Sequence, residues 1–409
     1  MPLLPSCVQA LATVAEHMGG LPQPSVTALP LGEALGRVLA EPILADRDQP
    51  PFPRSTRDGY AMRAADASSS VRLIGSIRAG QQWEGAALQA GQTVEIMTGA
   101  PVPHGADAVV MLEHVSLTGD VLTLQPGRTL AAGENVVPRA AEAVAGDVLL
   151  HAGLRITAAE IALAASVGAA TVSVYRQPTA AILATGDELV AVAETPGPMQ
   201  IRNSNSHALA ALVTQYGGQP RILPPAADTR ESLLDRITAA RSADMLVLTG
   251  GVSAGKYDLV EEVLLSLGAE FRFTGVAMQP GKPAVFGRLP ASAAHPQQWI
   301  FGLPGNPVST QVTALLFAMP MLRALGGETA PAPAFALATL EQEVAVRPGL
   351  TRFLPAHVAG SLAGVTVRTT GWQGSGDLNA NARANAYLVV PPDVDRLAKN
   401  SVATVLLRA

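Results

Sequence analysis

The sequence has little cysteine, one residue (Cys7) among 409, which excludes a disulfide framework and a thiolate metal site. A reducing cytoplasm is the simplest setting. Aromatic residues make up 4% of the chain while hydrophobic residues reach 48%, so a sizeable core is possible but alanine and valine must fill it. Lysine is scarcer still: Lys256, Lys282 and Lys399 are the full set, and arginine supplies every other positive side chain. The net charge of −5 argues against a general nucleic-acid or membrane surface, so any anion site must be local. No long hydrophobic run is present, for the longest, 312–322, is interrupted by Pro320 and is short of a membrane span. The first residues (MPLLPSCVQALATVAEH) carry no basic stretch and only a broken apolar one, unlike a signal peptide. The seven histidines show no H-x-x-x-H or H-E-x-x-H spacing, so a histidine metal site is not expected.

What remains is enough chain for about two to four domains. The first 45 residues read as helical, with Val8, Leu11, Val14, Ala15 and Met18 on one face and Gly19-Gly20 as a stop. From Asp46 the texture becomes rich in proline and glycine, with β-like runs at 71–77, 93–97, 108–112 and 121–124. Helical periodicity returns at 157–167. From 178 to 327 the alternation is regular: strands at 180–184, 221–223, 245–248 and 299–301, with helices at 207–216 (capped by Asn205 or Ser206) and 229–241, and another after Asn306-Pro307. This pattern predicts a doubly wound, mostly parallel α/β domain. The segment 332–409 alternates again as strands and reads as a separate β domain.

The loop TGGVSAGKYD at 249–258 lies between an apolar strand and a helix, where open α/β sheets bind ligands. Gly250 to Lys256 has the spacing of a phosphate-binding G-x-x-x-x-G-K loop, but Tyr257 stands where a Ser or Thr should hold magnesium. Gly251 to Gly255 also reads G-x-S-x-G, with Ser253 in the nucleophile position. An elbow of that kind turns directly into its helix, whereas here Asp258 is a good N-cap and Glu261 completes a capping box, so the helix starts later. What survives is a phosphate-friendly loop ending in one lysine and one carboxylate. The other polar loops expected at the same crevice are TGDE (185–188), NSNS (203–206), Asp228, QPGKP (279–283) and GLPGNPVS (302–309). Asp187, Glu188, Asp228 and Asp258 are hard oxygen ligands that suit magnesium. Asp228 with Glu231 equally fits a helix capping box, and a cap is compatible with a ligand where the helix N-terminus faces the site. Two of the three lysines fall in these loops, where a point charge beside glycine amides suits a tetrahedral oxyanion. The turns DGY at 58–60 and TGAPVPHGADAVV at 98–110 read, from spacing alone, as ordinary turn chemistry.

Taken in order, STRDGYAM, IMTGAPVPHGADAVV, ATGDELV, the NSN turn, LTGGVSAGKYD, QPGKPAVFG, GLPGNPVS, TRFLPAHV and GSGDLNANARANA closely resemble the MoeA family of molybdopterin molybdenumtransferases, to which the E domain of gephyrin is similar. The motifs run from about Asp46 to Pro391. The resemblance implies an α/β multidomain protein: a discontinuous helical linker domain (1–46 and 140–176), an inserted β domain (47–139), an α/β molybdopterin-binding domain (177–326) and a C-terminal β-barrel-like domain (327–409). It implies a cytoplasmic homodimer with a site shared between subunits, molybdate and adenylylated molybdopterin as substrates, release of AMP, Mg2+ as cofactor, and a molybdopterin adenylyltransferase as partner.

By motif position, the resemblance places Asp58 and Thr98 in the neighbouring subunit's site and Glu188, Asp228 and Asp258 on the magnesium side. Lys282, Gln279, Ser309, Arg352 and Ser375 fall on molybdate, and Gly250, Gly251, Ser253, Lys256, Gly305 and Asn306 on pterin or nucleotide. Two departures stand out. Many relatives read Lys-Pro-Gly-Lys where this chain has Gln279-Pro280-Gly281-Lys282, and often Gly-Glu-Asp where it has Ala141-Glu142-Ala143. The competing readings are a non-catalytic scaffold of the same fold and a nucleotide hydrolase built on the near-Walker loop. Retention of Asp58, Glu188, Asp228, Asp258 and Lys282 argues against the first; Tyr257 and a missing second motif argue against the other.

Overall fold

The computed structural model describes residues 4–251 and 259–408, so Ser253, Lys256 and Asp258 lie outside the described residues. At its centre is a six-stranded sheet in the order Gln219–Ile222, Thr179–Ala184, Met245–Thr249, Gln298–Leu303, Val285–Leu289, Glu270–Phe273. The first four strands are parallel; Val285–Leu289 runs against them, and Glu270–Phe273, antiparallel to it, runs with them. Successive side chains leave a strand on opposite faces, so Ala180, Ile182, Met245 and Val247 enter one core while Ala181, Leu183, Leu246 and Leu248 enter another. The helix Ser204–Gln215 packs Leu209 and Val213 on the first face, and Arg230–Ala240 packs Leu233 and Ile237 on the second. Each such buried aliphatic side chain contributes about 1.5–3 kcal/mol. Because Thr179–Ala184 neighbours both Gln219–Ile222 and Met245–Thr249, the chain winds outward first one way and then the other. The reversal opens a crevice at the carboxyl ends of these strands.

The segment 307–325 continues as one helical run, Pro307–Thr313, a π-turn at Ala314–Ala318, and Met319–Leu325. Pro320, which interrupts the apolar run of the sequence, does not interrupt the helix. Proline lacks the N–H and crowds the carbonyl four residues back, and the wider π-turn immediately before it relieves both demands. Among the described residues this is one helix long and apolar enough to cross a membrane, but 83% of its apolar window is buried inside the protein, so it is the core helix of the first face.

The amino-terminal 45 residues depart from expectation. Among the described residues of this stretch, α-helix is confined to Cys7–Met18, with a Ser6 cap, and buries Cys7, Ala10 and Val14 while Val8 stays exposed; Leu31–Glu33 is a single 3-10 turn. Beyond it, Val26–Pro30 is a strand paired with Thr171–Tyr175. A five-residue strand can satisfy its backbone against a partner far along the chain, which helical periodicity cannot anticipate. The helix Ala158–Ser166 forms as expected, with Thr157 and Glu160 in a capping box.

A second six-stranded sheet contains Ala108–Met111, Gly59–Met62, Gln92–Ile96, Val71–Ile77, Val121–Leu124 and Val115–Thr118. Gly59 is required there, because a Cβ would stand 2.0 Å from the Val110 carbonyl oxygen. Near the carboxyl terminus, Thr351–Ser361, Gly364–Thr369, Phe335–Leu340, Val402–Leu407 and Ala386–Val390 close into a five-stranded barrel, since Thr351–Ser361 also pairs with Ala386–Val390. The barrel is joined to the α/β sheet region by a short parallel pairing, Met278 opposite Thr351 and Gln279 opposite Arg352.

Candidate active site

A cavity of about 700 Å3 opens at the crevice. Its wall includes Glu188, Asp228, Gly250, Gly251, Gly305 and Asn306, all anticipated, and also Thr185, Asn205 and Arg202, which were not expected as site residues. Thr185 and Asn205 sit inside the TGDE and NSNS motifs, so their motifs were legible although their individual roles were not. Arg202 is the one cationic side chain of the wall among the described residues, and its Nε donates to the Glu194 carbonyl at 3.0 Å.

Asp228 does not cap the helix that follows it. The N-cap is Thr229, whose hydroxyl accepts from Ser232 N at 3.3 Å. The Asp228 carboxylate is directed instead to the crevice floor, where its Oδ1 accepts from the Thr185 hydroxyl at 2.7 Å. Its backbone amide donates to Asp187 Oδ1 at 3.1 Å. Glu188 folds back over Gly186, where an added Cβ would lie 2.4 Å from Glu188 Oε2. Gly186 also has φ of +143°, so glycine is needed on both counts.

The two glycine loops are held to each other and to the third crevice loop. Asn205 Nδ2 donates to Thr249 Oγ1 at 2.9 Å and to the Gly305 carbonyl at 2.7 Å. It therefore clamps two strand ends, and the helix cap expected of it is supplied by Asn203, which accepts from Ser206 N at 3.2 Å. The helix starting at Pro307 directs its amino end at the cavity, since Asn306 and Pro307 line the wall. Asn306 Nδ2 donates to Ser375 Oγ at 2.9 Å, and Val308 N to the Ser375 carbonyl at 2.9 Å. This brings the C-terminal segment to the cavity, with Gly376 and Leu378 in its wall.

The other expected residues sit around this centre. Pro283, next to Lys282, lines the wall, and the Lys282 side chain is exposed. Gln279 and Arg352 are side by side, and the Arg352 guanidinium donates to the Arg347 carbonyl from Nε (3.1 Å) and Nη2 (2.8 Å). Ser309 is 3% exposed in the first turn of its helix. Asp58 and Thr98 form an exposed pair at the ends of the second sheet's strands Gly59–Met62 and Gln92–Ile96, where Asp58 Oδ1 accepts from the Thr98 amide at 2.7 Å and its hydroxyl at 2.8 Å. Those two bonds, the amide first, hold the Asp58 carboxyl below its ordinary range. Neither residue is in the described wall of its own chain's cavity.

Among the described residues no three His, Cys, Asp or Glu side chains gather as a metal centre. Glu188 and Asp228 nevertheless supply carboxylate oxygens at one cavity, and Asp228 Oδ2 accepts no hydrogen bond among the described residues. Such donors fit a hard divalent cation. The departure at 141–143 leaves Glu142 paired with Arg54 at 2.7 Å, in the connection between domains and outside the described wall.

A doubly wound sheet with its ligand crevice at the switch point, extended by two β domains of which one reaches that crevice, defines a multidomain α/β enzyme. The MoeA N-terminal region (domain I and II) matches residues 6–168, the probable molybdopterin binding domain residues 181–324, and the MoeA C-terminal region (domain IV) residues 338–407. A molybdopterin molybdenumtransferase of Staphylococcus epidermidis is 34% identical over 92% of this chain and 90% of its own length. One from a Nostoc species is 40% identical over 73% and 69% respectively. Two structures of the molybdopterin biosynthesis MoeA protein of Pyrococcus horikoshii superpose with TM-scores of 0.70 and 0.79, at 31% and 26% identity, covering at least 98% of both chains. The chain belongs to the MoeA family of molybdopterin molybdenumtransferases.

Proposed function

We propose that this protein inserts molybdate into adenylylated molybdopterin, cleaving the phosphoanhydride and releasing AMP. The observation that carries the reading is the Asp228 carboxylate, freed from helix capping and held by Thr185 beside Glu188 in the switch-point cavity. Molybdate and the anhydride repel each other, so their approach needs counter-charge. Arg202 in the cavity wall, with Lys282 and Arg352 as the residues proposed to meet molybdate, would supply it, and the amino end of the Pro307 helix adds its dipole. The glycine loops bring backbone amides close to the ligand without side chains between.

Glu188 and Asp228 would hold Mg2+, with Asp258, outside the described residues, as a third carboxylate from the same crevice. When bound, the ion neutralises charge on the anhydride oxygens and on departing AMP. No side chain is assigned as nucleophile, because an activated water or a molybdate oxygen fits the anhydride equally well. Asp58 and Thr98 act in a second copy's cavity, so the working unit is a homodimer; their exposure away from their own cavity supports this. A molybdopterin adenylyltransferase would supply the substrate, in the cytoplasm. Burial raises the Cys7 thiol to about 12, which keeps it out of the chemistry.

Titration of AMP against the full-length protein tests the assignment of the cavity. Binding that weakens when Asn205 is replaced by alanine is expected; unchanged binding would move the nucleotide elsewhere.

A further inference from the structure

We infer that Thr185 is a positioning residue that couples the metal-side carboxylate to the placement of Gly250 and Gly251. The inference rests on the role just proposed for Asp228 and deepens it. Thr185 directly follows the strand Thr179–Ala184 and is 3% exposed. Its three functional groups are each committed to a different part of the crevice.

The hydroxyl donates to Asp228 Oδ1 at 2.7 Å, which restrains the carboxylate and leaves Oδ2 without a hydrogen bond among the described residues. The carbonyl oxygen occupies the space that a Cβ on Gly250 would enter, at 2.5 Å. The methyl does the same at Gly251, 2.7 Å from an ideal Cβ. Both glycines have positive φ, +88° and +65°, so the loop leaves its strand by folding closely over Thr185. A parallel bridge between Thr185 and Ala226 carries the backbone leading to Asp228 on the other side. One buried residue thus sets where the metal-side carboxylate points and where the glycine loop begins.

Thr185→Val and Thr185→Ser separate these contributions. Valine keeps the methyl and the volume but loses the hydroxyl; serine keeps the hydroxyl and loses the methyl. A hydrogen-bond partner of a metal-binding carboxylate is worth about 10–100-fold in metal affinity. Mn2+ titration of the full-length protein, followed by electron paramagnetic resonance without substrate, reads this directly. Thr185→Val should weaken Mn2+ binding by at least about tenfold, with the circular dichroism spectrum of the wild type retained. Thr185→Ser should stay within about threefold of the wild type in Mn2+ affinity, because its hydroxyl still reaches Asp228. In AMP titrations without metal the order should reverse, serine being the weaker variant because it no longer packs a methyl against Gly251. Wild-type Mn2+ affinity in Thr185→Val, or equal losses in both variants, would overturn the inference while leaving the Asp228 reading intact. A wild-type protein that binds no Mn2+ would overturn both.

Discussion

Gln279 stands opposite Arg352 in the short parallel pairing that joins the α/β sheet region to the C-terminal barrel. The Arg352 guanidinium is anchored on the Arg347 carbonyl, so its charge is held at this junction. Gln279 adds none, and the proposed oxyanion site then rests on Lys282 and Arg352.

Gln279→Lys should therefore lower the molybdate concentration needed for half-maximal turnover by about tenfold, corresponding to about 1.4 kcal/mol. A molybdate titration at saturating second substrate checks it. Submicromolar saturation in the wild type would show that the missing charge is of no consequence.

Asp228 and Thr229 are adjacent, but they perform different tasks. Asp228→Asn should reduce AMP release by at least about 100-fold, the scale of a lost electrostatic contact in a transition state. It should leave the helix cap in place. Thr229→Ala, in contrast, should cost about 1 kcal/mol of stability through the lost cap, while AMP release persists. Denaturation curves and turnover measured on the two variants check the division. Turnover near the wild-type rate in Asp228→Asn would refute it.

The Asp58 carboxyl accepts two hydrogen bonds from Thr98 and is held below its ordinary range. A carboxylate with a depressed folded-state pKa contributes stability that is complete above the unfolded value, about 3.9. That contribution is lost as pH falls through the folded value. Thr98→Val removes the hydroxyl bond and keeps the amide bond, so the Asp58 titration followed by nuclear magnetic resonance should move part of the way back toward the ordinary value. No movement would mean that the hydroxyl does not engage the carboxylate in solution.

A site shared between two copies makes a further demand on Asp58. Equal mixtures of Asp58→Asn and Asp228→Asn chains, refolded together, should regain about a quarter of wild-type turnover, since half the dimers are mixed and each has one intact site. Mixtures as inactive as either parent would place both residues in the same chain's site.

Much of this was legible in the sequence because the α/β domain obeys strong local rules. Its central strands read as short apolar runs, and Asn306-Pro307 announces its helix. The crevice loops could be collected from the strand ends alone. What escaped was decided by tertiary contacts. Thr351–Ser361 contains Pro355 and Gly360, which weaken its strand signal, yet it pairs on both sides to close the barrel. Asp228 and Thr229 are both good caps by residue type, and only the Thr185 hydroxyl decides which one turns away. Asn205 likewise fits a cap, but two strand ends within its reach offer it better-placed acceptors.

The most direct test is AMP release from adenylylated molybdopterin by the purified protein, measured with and without Mg2+ and with and without molybdate. The expected result is metal-dependent release that molybdate stimulates, with active molybdenum cofactor as the other product. Release indifferent to molybdate would indicate a nucleotide hydrolase, and no release at any metal or molybdate concentration would indicate a scaffold. Either outcome would contradict the proposed transferase reaction.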